Sequence, residues 1–387
     1  MSNDIEIKSN RFSFAAEIVV LTLMAVGTVF VFSAGASVKS DYSLKEFYNF
    51  TTLKQLCFFP AAVLVMYFVA NLDHRRLSFT RSGIWKSYTT YLIIFSILLL
   101  ILALIPGIGT PKNDSWRWLV IKLGPVSLSF QPSELAKWAV LFFIAAFVDR
   151  FYSNINSFTK FFVPVCIVPG IIIALIVTQD FGTAAFISLL SFLMLIMAGC
   201  SLLHFVVPFA LVAPAFWLAV TTSVTRMNRI RAFINPEDPS NPAWYQVQQS
   251  LIAISSGRLF GTGLGKGISK YGHLPEDTTD FIFAIICEEL GLTGGIIVIL
   301  LFVAFLIIGL SIAFRAKDKF SSLLAAGIVL TIVIQTAINI GVVTVVLPTK
   351  GIPLPFISAG GTSMLLTAAA VGVLLNIARH PDKQSTD

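Results

Sequence analysis

Ten long apolar runs separated by polar loops constrain this chain more than any other feature of its sequence. Most of these runs hold about 17 to 25 residues, the length of a helix that crosses a hydrocarbon core roughly 30 Å thick. The chain is 56% hydrophobic and only 12% charged, with a mean hydropathy of +0.85, which is outside the range of soluble domains. The period-2 alternation of an outer-membrane barrel is missing. The sequence therefore predicts an all-α, polytopic integral membrane protein.

The runs divide the chain into one membrane domain with two short tails. We expect cytoplasmic tails at 1–13 and 379–387, on either side of a transmembrane domain at 14–378. The eighth run is too long for one perpendicular span, so its first part, 281–289, is expected to be an interfacial or tilted entry segment. The ten runs lie at 14–34, 56–72, 90–107, 133–148, 162–178, 183–199, 202–221, 281–313, 321–346 and 357–378.

Basic residues in the short loops predict the orientation of the chain. The loops after the second, fourth and eighth runs carry Arg75, Arg76, Arg81, Lys86, Arg150, Lys160, Arg315, Lys317 and Lys319. Because Lys and Arg accumulate in cytoplasmic loops, these loops and both termini are predicted to be cytoplasmic. The formal net charge of +7 is thus explained by membrane topology and not by a nucleic-acid partner. The loops at 35–55, 106–132, 222–280 and 347–356 are then predicted to lie outside.

Two of these outer loops are more than connectors. The loop at 222–280 contains helix-compatible pieces broken by prolines, and structured loops of this length are usually functional. The loop at 106–132 places Arg117 between Trp116 and Trp118, a combination that favours the headgroup level of a membrane.

Asp280 is the first candidate for chemistry. A Gly-rich polar run ends at this residue, and the apolar sequence FIFAII follows without a break, which places a carboxylate where water meets hydrocarbon. If a helix begins here, Glu288 lies two turns deeper, about 12 Å along the axis. A lone Asp at a helix start is most often a cap, so spacing alone leaves a capping role and a catalytic role both open. The alternating glycines before Asp280 could suggest a nucleotide-binding loop, but no predicted strand precedes them and no Lys-Ser of a P-loop follows. A tightly turning loop is therefore favoured over a nucleotide site.

Charged residues within apolar segments are costly and raise functional hypotheses. In QPSELAK, which begins at Gln131, Glu134 and Lys137 lie three residues apart on one helical face. They form either a mutual ion pair or a site in which Glu134 holds Lys137 toward a ligand phosphate. Asp180, between two apolar runs, is either a helix N-cap or a functional carboxylate.

Further cations lie in the outer loops. Three arginines in a predicted outer loop are exceptions to the rule that basic residues lie on the cytoplasmic side: Arg226, Arg229 and Arg231. This exception indicates an anionic partner such as a pyrophosphate. Attraction to lipid headgroups is the alternative explanation. Lys270 in the Gly-rich run and Lys350 in the rigid turn PTKGIPLPFISAGG are additional substrate-binding candidates, and Ser358 is a supporting residue of that turn.

The chain resembles the SEDS family (shape, elongation, division and sporulation), which includes FtsW and RodA. The resemblance covers nearly the whole chain. It rests on WRWLVIKLGPVSLSFQPSELAK, QDFGTA, NRIRAFINPEDPSNPAWYQVQQSLIAISSG, LPEDTTDFIFAIICEELG and NIGVVTVVLPTKGIPLPFISAGGTS. The ten-helix architecture of that family agrees with the count above, and PTKG and DFGTA are closer to the FtsW-like branch.

The resemblance implies a bacterial inner-membrane enzyme that polymerises lipid II into β-1,4 glycan strands with inversion at the anomeric carbon. It implies that Asp280, in the TDFIF motif, is the catalytic base, with Arg229 and then Lys137 and Arg117 as the cations facing the leaving diphosphate. A divalent cation, Mg²⁺ or Mn²⁺, is compatible with this chemistry, although the sequence shows no dedicated set of ligands.

The resemblance also implies a partner, a class B penicillin-binding protein transpeptidase of the division or elongation machinery. Two other functions stay open from the sequence: a flippase that moves lipid II across the membrane, and a non-catalytic scaffold that recruits the transpeptidase.

The chain departs from the family pattern at four positions. Gln179 replaces a Pro, Thr278 replaces a His, Gly272 stands where the division branch often has an acidic residue, and Ala359 replaces a Tyr. None of these changes removes Asp280.

Overall fold

A computed structural model describes residues 2–35, 51–112, 115–123, 126–235, 238, 241, 243–271 and 274–380. The side chains of 2–10, 51–54, 112, 121–126 and 128 are excluded from this description. Gly272, one of the four departures from the family pattern, lies outside the described residues.

The described chain is dominated by helices. In chain order, they are α1 Ser2–Gly35, α2 Thr51–Ala70, α3 Phe79–Ser82, α4 Tyr88–Leu104, α5 Pro132–Phe151, α6 Val163–Val177, α7 Phe181–Met197, α8 Val206–Thr221, α9 Val224–Ile234, α10 Trp244–Ser256, α11 Ile282–Arg315, α12 Lys319–Val343 and α13 Gly361–Arg379. Short 3₁₀ turns occupy His74–Leu77, Tyr152–Asn154 and Leu202–Phe205, and a π-helical turn, Phe158–Phe162, leads into α6.

All ten apolar runs are helical, which confirms the prediction of a polytopic helical membrane protein. Six of these helices are long and apolar enough to cross a membrane, and three more are apolar but shorter. The remaining run forms α5, in which every residue from Pro132 to Ala146 is buried. A helix that is apolar and enclosed on all sides belongs at the centre of a bundle. In contrast, α8 has no buried residue and touches the bundle mainly through its ends.

The long helix α11 is broken, as its length in the sequence predicts. Gly291 has φ 71° and ψ −167°, a conformation that separates the segment before it from the longer helix that follows. A break inside a membrane bundle leaves backbone groups that must find other partners. The Gly-rich segment after α10 supplies them through hydrogen bonds of 2.9 to 3.2 Å: Thr262 N to Glu288 O, Gly263 N to Glu289 O, Leu292 N to Arg258 O, and Thr293 N to Leu259 O.

One small sheet accompanies the helices. The loop at 106–132 forms a three-stranded antiparallel sheet of β1 Gly109–Lys112, β2 Ser115–Leu123 and β3 Val126–Phe130, in the order β1-β2-β3. In the register of this sheet Thr110 faces Trp118 and Leu119 faces Phe130. The alternating sequence VSLSF of β3 is typical of a strand. Arg117 lies on β2 of this sheet, and the last strand, β3, ends just before the start of α5.

We expect Gly291→Ala to destabilise the protein because two costs add at this position. An Ala at positive φ costs about 1–2 kcal/mol. The added Cβ would also lie 2.4 Å from the amide nitrogen of Gly261 and 2.5 Å from the backbone of Leu259, where overpacking adds about 1–3 kcal/mol.

Thermal unfolding in detergent measures this effect, and Gly265→Ala is the matched control. Gly265 also has positive φ, at 80°, but its Cβ would meet nothing within 4 Å. Equal losses of stability in the two variants would contradict the steric argument.

Candidate active site

Asp280 lies in the turn that leads into α11, and its backbone is fixed by the loop after α12. The buried Asn339 amide donates one hydrogen bond to Asp280 O at 2.8 Å and another to Ile352 O at 2.7 Å. The hydroxyl of Ser358 donates to Thr279 O at 2.5 Å. Asn339 and Ser358 therefore hold two distant segments of the chain against each other.

Two departures from the family pattern lie at this junction. The backbone amide of Ala359 donates to Thr278 O at 2.8 Å, so the Ala in place of Tyr and the Thr in place of His contact each other through main-chain atoms. This contact therefore uses only backbone atoms, which are the same whichever residues occupy positions 278 and 359.

The side chain of Asp280 is half-buried and packs closely on Gly351. A Cβ at Gly351 would lie 2.8 Å from Asp280 Oδ2, closer than real Cβ contacts allow. Phe281, not Asp280, occupies the N-cap position of α11. The Asp280 carboxylate therefore stands one residue before the cap position of α11.

Asp180 occupies the position of the predicted N-cap and has further contacts. Its Oδ1 accepts from Thr183 N at 3.0 Å, which confirms the capping role at the start of α7. Its Oδ2 accepts from Gln131 Nε2 at 3.0 Å and lies 3.8 Å from Arg117 Nη1. Gln179 Oε1 accepts from the amide of Trp116 at 2.8 Å, so the residue that replaces the family's Pro ties the sheet to the start of α7.

Arg229 lies on α9, and its guanidinium interacts electrostatically with Arg117, Asp180 and Asp280. Its side chain is accessible to solvent, yet the surrounding protein displaces enough water to lower the pKa of its guanidinium, and repulsion by Arg117 lowers it further. Attraction to Asp280 and Asp180 acts in the opposite direction. Arg117, Asp180, Arg229 and Asp280 are therefore electrostatic neighbours.

The other two arginines on α9 differ from Arg229. Arg226 donates to Ala219 O at 2.8 Å and to the carbonyls of Val177 and Thr178 at 3.4 Å, and its guanidinium lies 4.9 Å from the ring centroid of Phe181. It thus joins the ends of α6 and α8. Arg231 is exposed.

Lys350 reaches this group from the loop after α12. Its ammonium donates to Gly182 O at 2.6 Å, in the first turn of α7. Burial lowers the pKa of Lys350 to about 8, against the attraction of Asp180. Lys350 therefore adds a partly desolvated cation beside Asp180.

Glu134 and Lys137 form the ion pair that the sequence allowed. Lys137 Nζ lies 3.0 Å from Glu134 Oε2 and 2.9 Å from Gln335 Oε1, and the residue is only 1% exposed. Ser363 donates to the same Glu134 oxygen at 2.8 Å. Gln335 in turn donates to Pro353 O at 2.9 Å, so the buried pair supports the loop that carries Lys350.

Lys270 and Glu289 form a second cluster, next to Glu288 in the chain. The three donors of the Lys270 ammonium are used by Glu289 at 2.9 Å, Ser33 at 3.2 Å and the carbonyl of Gly265 at 2.7 Å. Glu289 is fully buried, and Glu288 accepts from the amide of Ile268 at 2.8 Å. The structure thus places Lys270, a substrate-binding candidate of the sequence analysis, in a buried ion pair that anchors the Gly-rich segment.

No group of three or more His, Cys, Asp or Glu residues that could hold a metal ion occurs in the described part of the chain.

The fold and this site define a polytopic helical membrane protein with a carboxylate and several cations gathered by loops at one end of its bundle. The chain belongs to the FtsW/RodA/SpoVE family, whose model, described as "Cell cycle protein", matches residues 14–383.

Relatives and solved structures agree with this membership. Stage V sporulation protein E of Bacillus subtilis is 39% identical over 365 residues, which cover 94% of this chain and 96% of that protein. A probable peptidoglycan glycosyltransferase FtsW of Coxiella burnetii is 38% identical over 374 residues, which cover 95% of this chain and 96% of that protein. A chain from a peptidoglycan synthase complex aligns with a TM-score of 0.71 at 22% identity, covering 95% of this chain and 98% of its own. The rod shape determining protein RodA of Thermus thermophilus aligns with a TM-score of 0.64 at 23% identity, covering 95% of this chain and 97% of its own.

We expect Lys270→Met to destabilise the protein by about 3–5 kcal/mol, because it leaves the buried carboxylate of Glu289 without its cation. Thermal unfolding in detergent measures the loss. Lys266→Met is the control, since Lys266 is exposed and its replacement should change stability by no more than about 0.5 kcal/mol. Adding Glu289→Gln to Lys270→Met should recover part of the loss, and a further loss instead would contradict the ion-pair explanation.

Proposed function

We propose that this protein is a peptidoglycan glycosyltransferase that polymerises lipid II into β-1,4 glycan strands with inversion at the anomeric carbon. One observation carries the proposal: the Arg229 guanidinium is attracted to the carboxylates of both Asp280 and Asp180, and Asp180 lies 3.8 Å from Arg117. The relatives named as probable peptidoglycan glycosyltransferases support it.

Asp280 is the general base in this proposal. Its carboxylate accepts the proton of the acceptor sugar's 4-hydroxyl while that oxygen attacks the anomeric carbon of the donor. Because an α-linked donor gives a β-linked product, a single displacement suffices and no covalent enzyme intermediate is needed. Asn339 and Ser358 hold the Asp280 segment, and the carboxylate fills the space that a Cβ at Gly351 would occupy, which gives the base a defined position during attack.

Arg229, Arg117 and Lys350 stabilise the departing lipid diphosphate. Negative charge grows on the leaving group in the transition state, and fixed cations in a partly desolvated site lower the barrier. Arg229 is the most accessible of the three, and its planar fork suits two phosphate oxygens. The described residues offer no cage for Mg²⁺ or Mn²⁺, so we assign no step to a metal ion.

The reaction takes place outside the cytoplasm in this proposal. Basic residues predict that the loops opposite Asp280 and both termini are cytoplasmic, in a bacterial inner membrane. The partner is a class B penicillin-binding protein transpeptidase of the division or elongation machinery. A structure similar to this chain comes from a peptidoglycan synthase complex, which supports such an assembly.

We expect Asp280→Asn to lower glycan polymerisation by about 10²–10⁴-fold, because an amide cannot accept the proton. The assay uses lipid II and the purified chain with its transpeptidase partner. Asp277→Asn, in the same turn, is the matched control and should keep activity near wild type, since the mechanism gives this carboxylate no part.

Each alternative function has its own outcome in this assay. Polymerisation by the Asp280→Asn variant at the wild-type rate would refute the base assignment. A wild-type protein that moves lipid II across vesicles without polymerising it would be a flippase, and one that only binds the transpeptidase would be a scaffold.

The alkaline limb of the pH profile tests Lys350. The folded pKa of Lys350 is lowered to about 8, so the residue carries its charge below that pH and loses it above. We expect kcat/KM to fall as the pH rises through about 8. Lys350→Arg keeps its charge at every pH used, so its profile should stay flat there; a fall identical to that of the wild type would show that another group titrates.

A further inference from the structure

Gly182 lies at the crossing of two elements of the site. It is the second residue of α7 and follows Asp180 by two positions. Its carbonyl accepts the hydrogen bond of the Lys350 ammonium at 2.6 Å, although the two residues are 168 positions apart in the chain. The Lys350 side chain therefore runs directly over the start of α7.

The space above Gly182 is filled by Lys350. A Cβ at this position would lie 2.3 Å from Lys350 Cε, and 3.3 Å from both Lys350 Cδ and Asp180 Oδ1. Real Cβ atoms essentially never approach another heavy atom closer than 3.0 Å. The atom that must give way is near the end of a flexible side chain and not part of the backbone. A methyl group at position 182 would thus move Lys350 and leave the helix in place.

We propose that Gly182 is a positioning residue for the transfer reaction: its missing side chain lets Lys350 cross the start of α7 and fixes the ammonium beside Asp180, in the group of charges that receives the lipid diphosphate. This inference rests on the proposed function.

Lys350 is also connected to the base. The Asp280 carboxylate fills the space that a Cβ at the next residue, Gly351, would occupy, so a shift of Lys350 acts on the backbone beside Asp280. The charged group that acts on the ammonium is Asp180 at the start of α7, which in turn lies 3.8 Å from Arg117 on β2. A single methyl group at position 182 thus disturbs the cation directly and the base through Gly351.

A loss of activity in Gly182→Ala cannot be attributed to a weaker helix, because Ala favours a helix more than Gly does. We expect polymerisation of lipid II to fall by roughly 10²-fold, the effect of displacing a catalytic group by about 1 Å. The unfolding temperature should stay at or above the wild-type value.

Gly170→Ala is the matched control. Gly170 lies inside α6, and a Cβ there would meet nothing within 4 Å. This variant should polymerise lipid II at the wild-type rate.

A double-mutant cycle with Lys350→Ala identifies the cause of the loss. When the lysine side chain is absent, Gly182→Ala has no cation to displace and should change the residual rate by less than about twofold. The same cycle can be measured as lipid II binding to Asp280→Asn variants, which needs no turnover. An equal loss in both backgrounds would overturn the proposal, as would a wild-type rate in the single variant.

The pH profile is a readout that a general structural defect would not move. In Gly182→Ala the displaced ammonium gains water, so its pKa returns toward the ordinary value and the alkaline limb should move to higher pH. An unchanged limb together with a lower rate would overturn the proposal. If the wild type does not polymerise lipid II at all, it is the proposed function that fails.

Discussion

The site depends on one buried amide. Asn339 uses both of its N–H groups on backbone carbonyls, one from the turn before α11 and one from the loop after α12. Inside a helical bundle, a carbonyl without a donor costs free energy that nearby water cannot recover. The two loops therefore lie together because each satisfies its backbone at the same side chain, and Asp280 and Lys350 become parts of one site.

The break in α11 is handled by the same physical rule. Gly291 ends one helical segment, and the Gly-rich segment donates to its last carbonyls and accepts from the first amides of the next segment. Lys270 and Glu289 then fix that Gly-rich segment with a buried ion pair. Polar groups around the break thus serve to satisfy the backbone of the bundle.

Much of this could be predicted from the sequence, because hydropathy and local spacing decide it. The ten helices, the Asp180 cap and the Glu134–Lys137 pair all depend on residues a few positions apart. The sequence missed Asn339 and Gln335, whose only local signal is an amide within an apolar run, and it offered Lys270 as a substrate-binding residue without showing its ion pair with Glu289. These contacts join residues that are far apart in the chain, and spacing carries no information about them.

Helix α8 has no buried residue, and lipid tails are as apolar as its side chains. Tilting it would break little packing, so its inclination is set mostly by the bilayer and by the Arg226 tether at its end. The chain continues from α8 directly into α9, which carries Arg229. The Arg226 contacts with the carbonyls of Val177 and Thr178 therefore anchor the start of α9, and so Arg229, to the bundle whatever inclination the bilayer gives to α8.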